Sequence, residues 1–261
     1  RLAGGDVGAG RLADPATVVA AAEEVLGATR GDAGGDLAGL TVLVTAGGTR
    51  EPICPVRFLG NRSSGKQGHA LVAEAAARGA QVRCVTTQPG TAPAGPGIDV
   101  TAVDTAAEMA AAVAAQAVDA DIVLMAAAVA DFRPVEVATE KIKKGDGPAE
   151  IRLEPTVDIL AELGRSRSNG QVLVGFAAET QDLRQNAAAK LAAKGIDLIV
   201  ANDVSAPRVG FEHDTNAVLV LDAGGGAREV PLADKREVAG VVLDAALAIH
   251  KTNRTGNGDA R

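Results

Sequence analysis

Two short apolar runs decide the fold: residues 40–46 (LTVLVTA) and residues 121–127 (DIVLMAA). Both are rich in Val, Leu and Ile, which is typical of buried parallel strands. Similar runs recur and alternate with helical stretches, with strands predicted at 81–86, 98–103, 172–176 and 198–201 and helices at 63–78, 106–118 and 183–194. This alternation predicts an α/β fold, an open and mostly parallel Rossmann-like sheet with helices on both faces.

The two ends of the chain follow other patterns. Residues 217–221 and 228–230, joined through a Gly-Gly-Gly turn, predict a C-terminal antiparallel hairpin, and a helix is expected at 235–250. At the other end, Asp14-Pro15 predicts a helix start that is followed by a Gly/Asp-rich linker. We therefore predict a separate segment at 1–36, a packed domain at 37–251 and a disordered tail at 252–261.

Composition excludes several classes of function. The net charge of −7 and the absence of Trp and Tyr argue against nucleic-acid binding. No apolar run reaches 18 residues and no signal-peptide pattern is present, so we expect a cytoplasmic protein without a membrane partner. Cys54 and Cys84 fit free thiols in a reducing compartment, with a disulfide as the alternative.

The turn after the first strand contains Gly47 and Gly48, which invites comparison with a dinucleotide site. The spacing is not GxGxxG, and residues 85–88 (VTTQ) supply no acid for ribose hydroxyls. Two interpretations stay open, a plain tight turn and backbone amides that approach a phosphate.

Residues 60–67 (GNRSSGKQ) resemble a Walker A motif but fail it. Gln67 stands where the motif needs a hydroxyl for Mg²⁺, and more than ten residues separate the stretch from the first strand. Ser63 and Ser64 are expected either to cap the next helix or to open its first amides to an anion.

Residues 126–134 (AAAVADFRP) and 140–144 (EKIKK) follow the strand at 121–127. Small residues let a ring or sugar approach the backbone, and Asp131 suits a cation or a ribose hydroxyl. Lys190 and Lys194 share one helix face, either as a surface pair or around an anion. The three histidines show no metal-ligand spacing.

Five motifs together carry a family resemblance. They are residues 44–68 (VTAGGTREPICPVRFLGNRSSGKQG), 126–134, 140–144, 174–180 (VGFAAET) and 201–205 (ANDVS). In this order they closely resemble phosphopantothenate–cysteine ligases, which in most bacteria form the C-terminal half of a bifunctional coenzyme A biosynthesis protein. Residues 1–15 resemble the end of its flavin-dependent decarboxylase half, but Gly4 stands where that family has its catalytic Cys. No decarboxylase activity is expected, and FMN is expected only with the decarboxylase half.

The resemblance implies a reaction and a set of partners. CTP and Mg²⁺ activate 4′-phosphopantothenate as an acyl-cytidylate, and L-cysteine then displaces CMP. The family is also dimeric, with a strand element that reaches the partner's site, and residues 132–153 are our candidate for that arm. Two rivals remain, a nucleotide-binding regulatory module without turnover and an NAD(P)-linked reductase.

The resemblance also assigns residues. Asn61, Arg57 and Lys141 are the expected catalytic residues, with Asn61 acting on the acyl-cytidylate, Arg57 on the substrate phosphate or carboxylate, and Lys141 on cytosine or the α-phosphate. Gly47, Gly48, Ser63 and Ser64 are phosphate-loop candidates, and Asp131 is the candidate metal ligand. Residues 157–160 match less well, since the family has Asn-Pro-Asp where this chain reads Thr156-Val157-Asp158. The expected CTP-binding positions are Met125, Ala126, Ala127, Asp131, Lys141, Val157, Asp158, Ile159, Leu160, Phe176, Lys190 and Lys194.

Overall fold

The computed structural model describes residues 35–144, 150–179, 181–203 and 213–256. Within these ranges the strands are β1 (Thr41–Ala46), β2 (Arg50–Cys54), β3 (Arg57–Gly60), β4 (Gln81–Thr86), β5 (Ile98–Ala102), β6 (Ile122–Met125), β7 (Phe132–Pro134), β8 (Leu153–Pro155), β9 (Val172–Glu179), β10 (Leu198–Asp203), β11 (Thr215–Asp222) and β12 (Ala227–Asp234). The helices of the same ranges are α1 (Lys66–Ala77), α2 (Ala106–Gln116), α3 (Ile159–Ser166), α4 (Leu183–Lys194) and α5 (Lys235–Gly256).

Eight strands form one sheet in the order β12-β11-β10-β9-β6-β1-β4-β5. All neighbours from β10 to β5 are parallel, while β11 and β12 pair antiparallel at one edge. The six parallel strands have the order of a doubly wound dinucleotide-binding fold, with its reversal between β1 and β6. This confirms the predicted fold class and the C-terminal hairpin.

Helices cover both faces of the sheet because strand residues alternate between two cores. On one face, Val42 and Val44 join a buried cluster with α1 and α5. On the other face, Leu43 and Val123 join a cluster with α2, α3 and α4. Successive side chains of a strand point to opposite faces, so runs that are apolar throughout serve both layers.

Two small antiparallel strand pairs lie in regions for which the sequence pattern predicted no strand. β2 pairs antiparallel with β3 inside residues 49–62, which the sequence pattern left as a loop. β7 pairs antiparallel with β8. These strands have only three to five residues, and β3, β7 and β8 are largely exposed, so they show too little apolar periodicity for the prediction.

The last helix is longer than predicted. α5 continues to Gly256, so the predicted disordered tail 252–261 is wrong for its first five residues, and 257–261 lie outside the described residues. In this last part of α5 the Thr252 and Thr255 hydroxyls donate to carbonyls of the preceding turn. No helix in the described ranges has both the length and the hydropathy for a membrane span. The predicted N-terminal helix near Asp14 lies outside these ranges, and the predicted domain division stays a prediction.

Cys54 and Cys84 are both free and buried, as the free-thiol prediction required. Cys84 lies within β4, where burial raises the pKa of its thiol to about 11. A thiol with a raised pKa is a poor nucleophile at neutral pH, which gives Cys84 a packing role.

Candidate active site

A cleft of about 660 Å³ lies beyond the carboxyl ends of β1, β6, β9 and β10. It opens at the point where the strand order reverses, which is where ligands bind in open α/β sheets. Helices of one face, α1 and α5, supply one side of the cleft, and α3 and α4 of the other face supply the opposite side.

The floor of the cleft is the segment 125–131 that leaves β6. Two threonines hold this segment in place. The hydroxyl oxygen of Thr45 accepts a hydrogen bond from Ala127 N (3.1 Å), and that of Thr49 accepts one from Ala130 N (2.9 Å). Asn61 Nδ2 donates to the carbonyls of Ala128 (3.2 Å) and Val129 (3.3 Å). The side-chain amide of Asn61, a predicted catalytic residue, therefore lies against the floor. The small side chains of the floor leave room for a flat ligand.

One side of the cleft is the α4 wall, defined by Asp158, Glu179, Lys190 and Lys194. Lys190 Nζ lies 2.6 Å from Glu179 Oε1. Lys194 Nζ lies 3.0 Å from Asp158 Oδ1 and 3.1 Å from Oδ2. Both lysines therefore line the cleft, each with a carboxylate beside it. From this position their ammonium groups can bind polyphosphate oxygens.

Asp158 also begins α3, because its Oδ1 accepts the amide of Ala161 at 3.0 Å. Partial burial works to raise the pKa of this carboxyl. The Ala161 amide and the Lys194 ammonium outweigh burial, so the pKa of Asp158 lies below its usual range. The carboxylate is consequently charged at neutral pH and holds the wall lysine in place.

The opposite side is the α1–α5 corner, defined by Lys66, Gln67, Asn216 and Lys235. Gly65, with φ 80°, is the N-cap residue of α1. The helix begins at Lys66, three residues later than expected, so neither Ser63 nor Ser64 holds the N-cap position that the capping alternative required. Both serines still line the cleft.

Gly68 brings α1 against the end of β1. A Cβ at this position would lie 2.5 Å from Ala46 Cβ and 2.9 Å from Thr45 O, which no real side chain tolerates. Close packing thus places the first turn of α1 directly over the strand ends. The first turn of a helix presents N–H groups that lack intrahelical acceptors, which favours a negatively charged ligand.

Lys235 is a cleft residue that the sequence reasoning missed. It is only 6 % exposed, begins α5 and lines the cleft. Gln67 Nε2 donates to its carbonyl at 3.1 Å, and the Lys66 ammonium lies 2.6 Å from Asp214. Burial and, to a smaller degree, the nearby Lys66 charge lower the pKa of Lys235 to about 8. The only advance signal was its position after a polar hairpin, at the start of an amphipathic helix.

Most of the predicted site residues line this one cleft. They are Asn61, Ser63, Ser64, Met125, Ala126, Ala127, Asp131, Val157, Asp158, Ile159, Leu160, Phe176, Lys190 and Lys194. Gly47 and Gly48 do not line it, because they lie behind the 61–65 loop: a Cβ at Gly48 would meet Asn61 O at 2.9 Å. The glycines support the loop that forms the cleft, and their direct contact with a phosphate stays a prediction.

Arg57 and Lys141 also lie outside the cleft of their own chain. Both belong to a projecting layer formed by β2, β3, β7, β8 and residues 135–144. Arg57 Nη1 donates to Ile142 O at 3.1 Å, and Ala138 N donates to Ile53 O at 3.0 Å. The layer exposes a set of large apolar side chains, namely Val56, Phe58, Phe132, Val135, Val137, Ile151 and Leu153.

The donor set for a metal is sparse. Asp131 is exposed and lines the cleft. The described ranges hold no group of three or more His, Cys, Asp or Glu residues that would make a protein-only metal site. Mg²⁺ is usually held by one or two carboxylates together with substrate phosphates. Asp131 at the cleft edge therefore fits an ion that arrives with a nucleotide.

Comparison with known proteins gives consistent results. Residues 37–249 match the family described as the DNA/pantothenate metabolism flavoprotein C-terminal domain. The chain is 46% identical over 256 residues to the coenzyme A biosynthesis bifunctional protein CoaBC of Mycobacterium tuberculosis, covering 94% of this chain and 60% of that protein. The chain thus spans less than two thirds of that relative's length.

Solved structures show the same architecture. The crystal structure of the C-terminal domain of a CoaBC protein superposes with a TM-score of 0.70 at 36% identity, covering 84% of this chain and 99% of that one. A Cab2 mutant in complex with phosphopantothenate-cysteine also gives a TM-score of 0.70, at 16% identity, covering 93% of this chain and 96% of that one. The second likeness is one of fold alone.

Proposed function

Because the chain belongs to the DNA/pantothenate metabolism flavoprotein C-terminal domain family, we propose that it is a phosphopantothenate–cysteine ligase of coenzyme A biosynthesis. It joins 4′-phosphopantothenate to L-cysteine with CTP, through an acyl-cytidylate, and releases pyrophosphate and CMP. One observation carries the proposal: the α4 wall and the Asn61-braced floor face a single cleft at the reversal point of the sheet. We expect this chemistry in the cytoplasm, as the sequence indicated.

In the first step the substrate carboxylate attacks the α-phosphorus of CTP, and pyrophosphate leaves. Negative charge grows on the phosphate oxygens, where fixed ammonium groups stabilise the transition state. Lys190 and Lys194 are positioned for this by Glu179 and Asp158. The half-buried Phe176 and the small floor residues leave room for the cytosine and ribose.

In the second step the neutral cysteine amine attacks the acyl carbon, the acyl–phosphate C–O bond breaks, CMP leaves, and the nitrogen releases a proton to solvent. Charge now grows on the carbonyl oxygen, which an amide N–H can stabilise. Asn61 Nδ2 points at the floor carbonyls of Ala128 and Val129 and lies within the same cleft. This donor would stabilise the acyl oxygen if it turned from the floor carbonyls toward it, so Asn61 is our candidate for the second step.

Mg²⁺ supplies charge neutralisation of the triphosphate when it is bound. Asp131, at the cleft edge, would hold it together with the substrate phosphates.

We further propose that the active unit is a homodimer. Arg57 and Lys141 lie outside their own chain's cleft, on a projecting layer with exposed apolar side chains. Apolar surface of this kind marks protein–protein contact. Pairing of two such layers would carry both cations to the partner's cleft.

Pyrophosphate release tests the ligase assignment. The chain is incubated with CTP, ATP, GTP or UTP, with and without 4′-phosphopantothenate and cysteine. We expect release with CTP that depends on the acid but not on cysteine, and amide product only when cysteine is added. Absence of acid-dependent release with all four nucleotides would contradict the proposal.

Subunit complementation tests the dimer. Lys141→Met and the double variant Lys190→Met/Lys194→Met are each expected to be inactive alone. Mixing them through co-expression should restore a clear fraction of activity, since one of the two clefts then has all three lysines. No recovery in isolated heterodimers would show that Lys141 does not serve the partner's cleft.

A further inference from the structure

Glu51 is a buried carboxylate that the proposed reaction does not use. It lies in β2, is only 3 % exposed and does not line the cleft. Removing a carboxylate from water is unfavourable unless the site compensates it. We propose that Glu51 is a positioning residue for Asn61, because it holds the β2–β3 hairpin where the Asn61 amide meets the cleft floor. The inference rests on the proposed function, in which Asn61 serves the second step.

The partner of the Glu51 carboxylate is the first turn of α2. Glu51 Oε1 accepts a hydrogen bond from Ala106 N at 2.8 Å, between residues that are 55 positions apart in the chain. The amides of a helix's first turn lack intrahelical acceptors and carry partial positive charge, so they stabilise a carboxylate there. A hydrogen bond from a backbone N–H to a carboxylate is also stronger than one between neutral groups. The contact therefore joins β2 firmly to the body of the domain.

The start of α2 is also capped by its own residues. The Thr105 hydroxyl oxygen accepts the amide of Glu108, and the Glu108 carboxylate accepts the amide of Thr105, each at 3.2 Å, which forms a capping box. Glu108 Oε2 accepts the amide of Asp104 as well, at 2.7 Å. Because local contacts already stabilise this helix start, the distinctive effect of the Glu51 hydrogen bond is to fix where β2 lies.

Arg50 brings the base of the hairpin to the same place. Its backbone N donates to Asp104 O at 2.8 Å, and its guanidinium lies 3.5 Å from the Asp104 carboxylate in an ion pair that is largely exposed. Exposed ion pairs contribute little, because water and salt screen the charges. Of these two side-chain contacts of β2, the buried Glu51 hydrogen bond is therefore the stronger one.

The β2–β3 pairing connects Glu51 to Asn61. Glu51 pairs with Leu59, two residues before Asn61, whose side-chain amide donates to two carbonyls of the cleft floor. Between them, Gly60 packs so closely that a Cβ there would lie 2.6 Å from Thr49 O. Backbone this closely packed leaves little slack, so a displaced β2 would move the Asn61 amide away from the floor.

The tip of the hairpin is held by different contacts. Ala138 N donates to Ile53 O at 3.0 Å, and Arg57 Nη1 donates to Ile142 O at 3.1 Å. These contacts hold the tip against the projecting layer, whereas Glu51 holds the base against α2. Loss of Glu51 should therefore tilt the hairpin about its tip, which displaces its base and leaves the lysines of the α4 wall in place.

Separate measurement of the two half-reactions tests this role. The whole chain is mixed with saturating CTP and 4′-phosphopantothenate to measure pyrophosphate release, and cysteine is then added to measure amide formation by quenched flow. We expect Glu51→Ala to slow amide formation at least about tenfold, because the amide of Asn61 is misplaced. Pyrophosphate release should stay within about threefold of the wild type. Glu51→Gln, which keeps an oxygen for the Ala106 amide, should restore amide formation to within about threefold.

Glu108→Ala is the matched control. It removes an exposed carboxylate whose hydrogen bonds go to the amides of Asp104 and Thr105 at the same helix start. Both rates should stay within about twofold of the wild type. Equal slowing of amide formation in Glu108→Ala and Glu51→Ala would overturn the inference, since the helix start would then be responsible. Amide formation within about threefold of the wild type in Glu51→Ala would overturn it too.

A second acidic variant keeps the test decisive if Glu51→Ala does not fold, which urea unfolding shows. Glu51→Asp withdraws the carboxylate from the Ala106 amide by one methylene group and retains the charge. It should show the same selective loss of amide formation, and equal slowing of both half-reactions would contradict the positioning role.

A spectroscopic measurement makes the test independent of turnover. The side-chain amide of Asn61 gives nitrogen–proton resonances that are identified by their loss in Asn61→Asp. These resonances should shift in Glu51→Ala and keep their wild-type positions in Glu51→Gln and Glu108→Ala. Unmoved resonances in Glu51→Ala would contradict the inference. A wild type that makes no product, with the expected shifts present, would instead reject the ligase assignment and leave the positioning contact standing.

Discussion

The α4 wall and the α1–α5 corner both place lysine side chains in the cleft lining, but the surroundings of these lysines differ. In the wall, each lysine has a carboxylate within 3.0 Å, and the Lys190 side chain is 46% exposed. In the corner, Lys235 is buried and Lys66 and Asp214 lie close by. The wall lysines lie beside carboxylates in the cleft lining, whereas burial lowers the pKa of the Lys235 ammonium group to about 8, so that its charge depends on pH. The comparison shows that burial, and not the number of lysines, makes the charge of a lysine sensitive to pH.

The largest expected effect belongs to the wall. Lys190→Met and Lys194→Met should each lower kcat/KM for pyrophosphate release by about 10²-fold, since each removes a fixed charge from the transition state. Lys251→Met, an exposed lysine of α5 outside the cleft lining, is the matched control. Losses below about threefold in both wall variants would show that the wall does not hold the triphosphate.

The pH dependence of the unfolding free energy tests the burial of Lys235 in the α1–α5 corner. The folded-state pKa of Lys235, about 8, lies below its ordinary value of 10.5. The unfolded chain therefore binds more protons at this site between pH 8 and 10.5, so the site's contribution to unfolding free energy rises with pH in that window. The slope from this one group is at most about 1.4 kcal/mol per pH unit.

Urea unfolding of the wild type and Lys235→Met at pH 7, 8, 9 and 10 measures this effect. The variant should be the more stable protein at pH 7, and its advantage should shrink as pH rises. Lys251→Met serves again as the control. A wild-type-minus-variant difference that stays flat with pH would show that burial does not lower the pKa of Lys235.

The smallest effect is expected at Asp158. Asp158→Ala removes the cap of α3 and the partner of Lys194, and should lower the unfolding free energy by about 1 kcal/mol at pH 7. Because the folded-state pKa of Asp158 is depressed, its contribution is present above the unfolded value of 3.8 and is lost as pH falls through the folded value. The difference in unfolding free energy between the wild type and Asp158→Ala should therefore become smaller at acidic pH, which urea unfolding measures. Glu154→Ala, which removes an ion-pair carboxylate remote from a helix cap, is the control.

Local signals account for what the sequence predicted correctly. The runs around Val44 and Leu124 are apolar throughout, so they indicated strands buried on both faces, and α4 has the predicted bounds because Lys194 precedes a helix-ending glycine. Lys190 and Lys194 of the wall were assigned by the family resemblance, because their spacing by itself fits a surface pair equally well. The sequence pattern missed β2–β3 and β7–β8 because strands of three to five residues are too short to show an apolar pattern.

The sequence by itself determined the doubly wound sheet, its C-terminal hairpin and the side of the strands on which ligands bind, since these follow from hydrophobic periodicity and the handedness of crossovers. Only the tertiary structure decided that Gln67 meets Lys235 across 168 positions, and that Lys141 and Arg57 lie away from their own chain's cleft. Burial and distance between remote segments arise from the packing of whole helices against the sheet, and no local pattern encodes them.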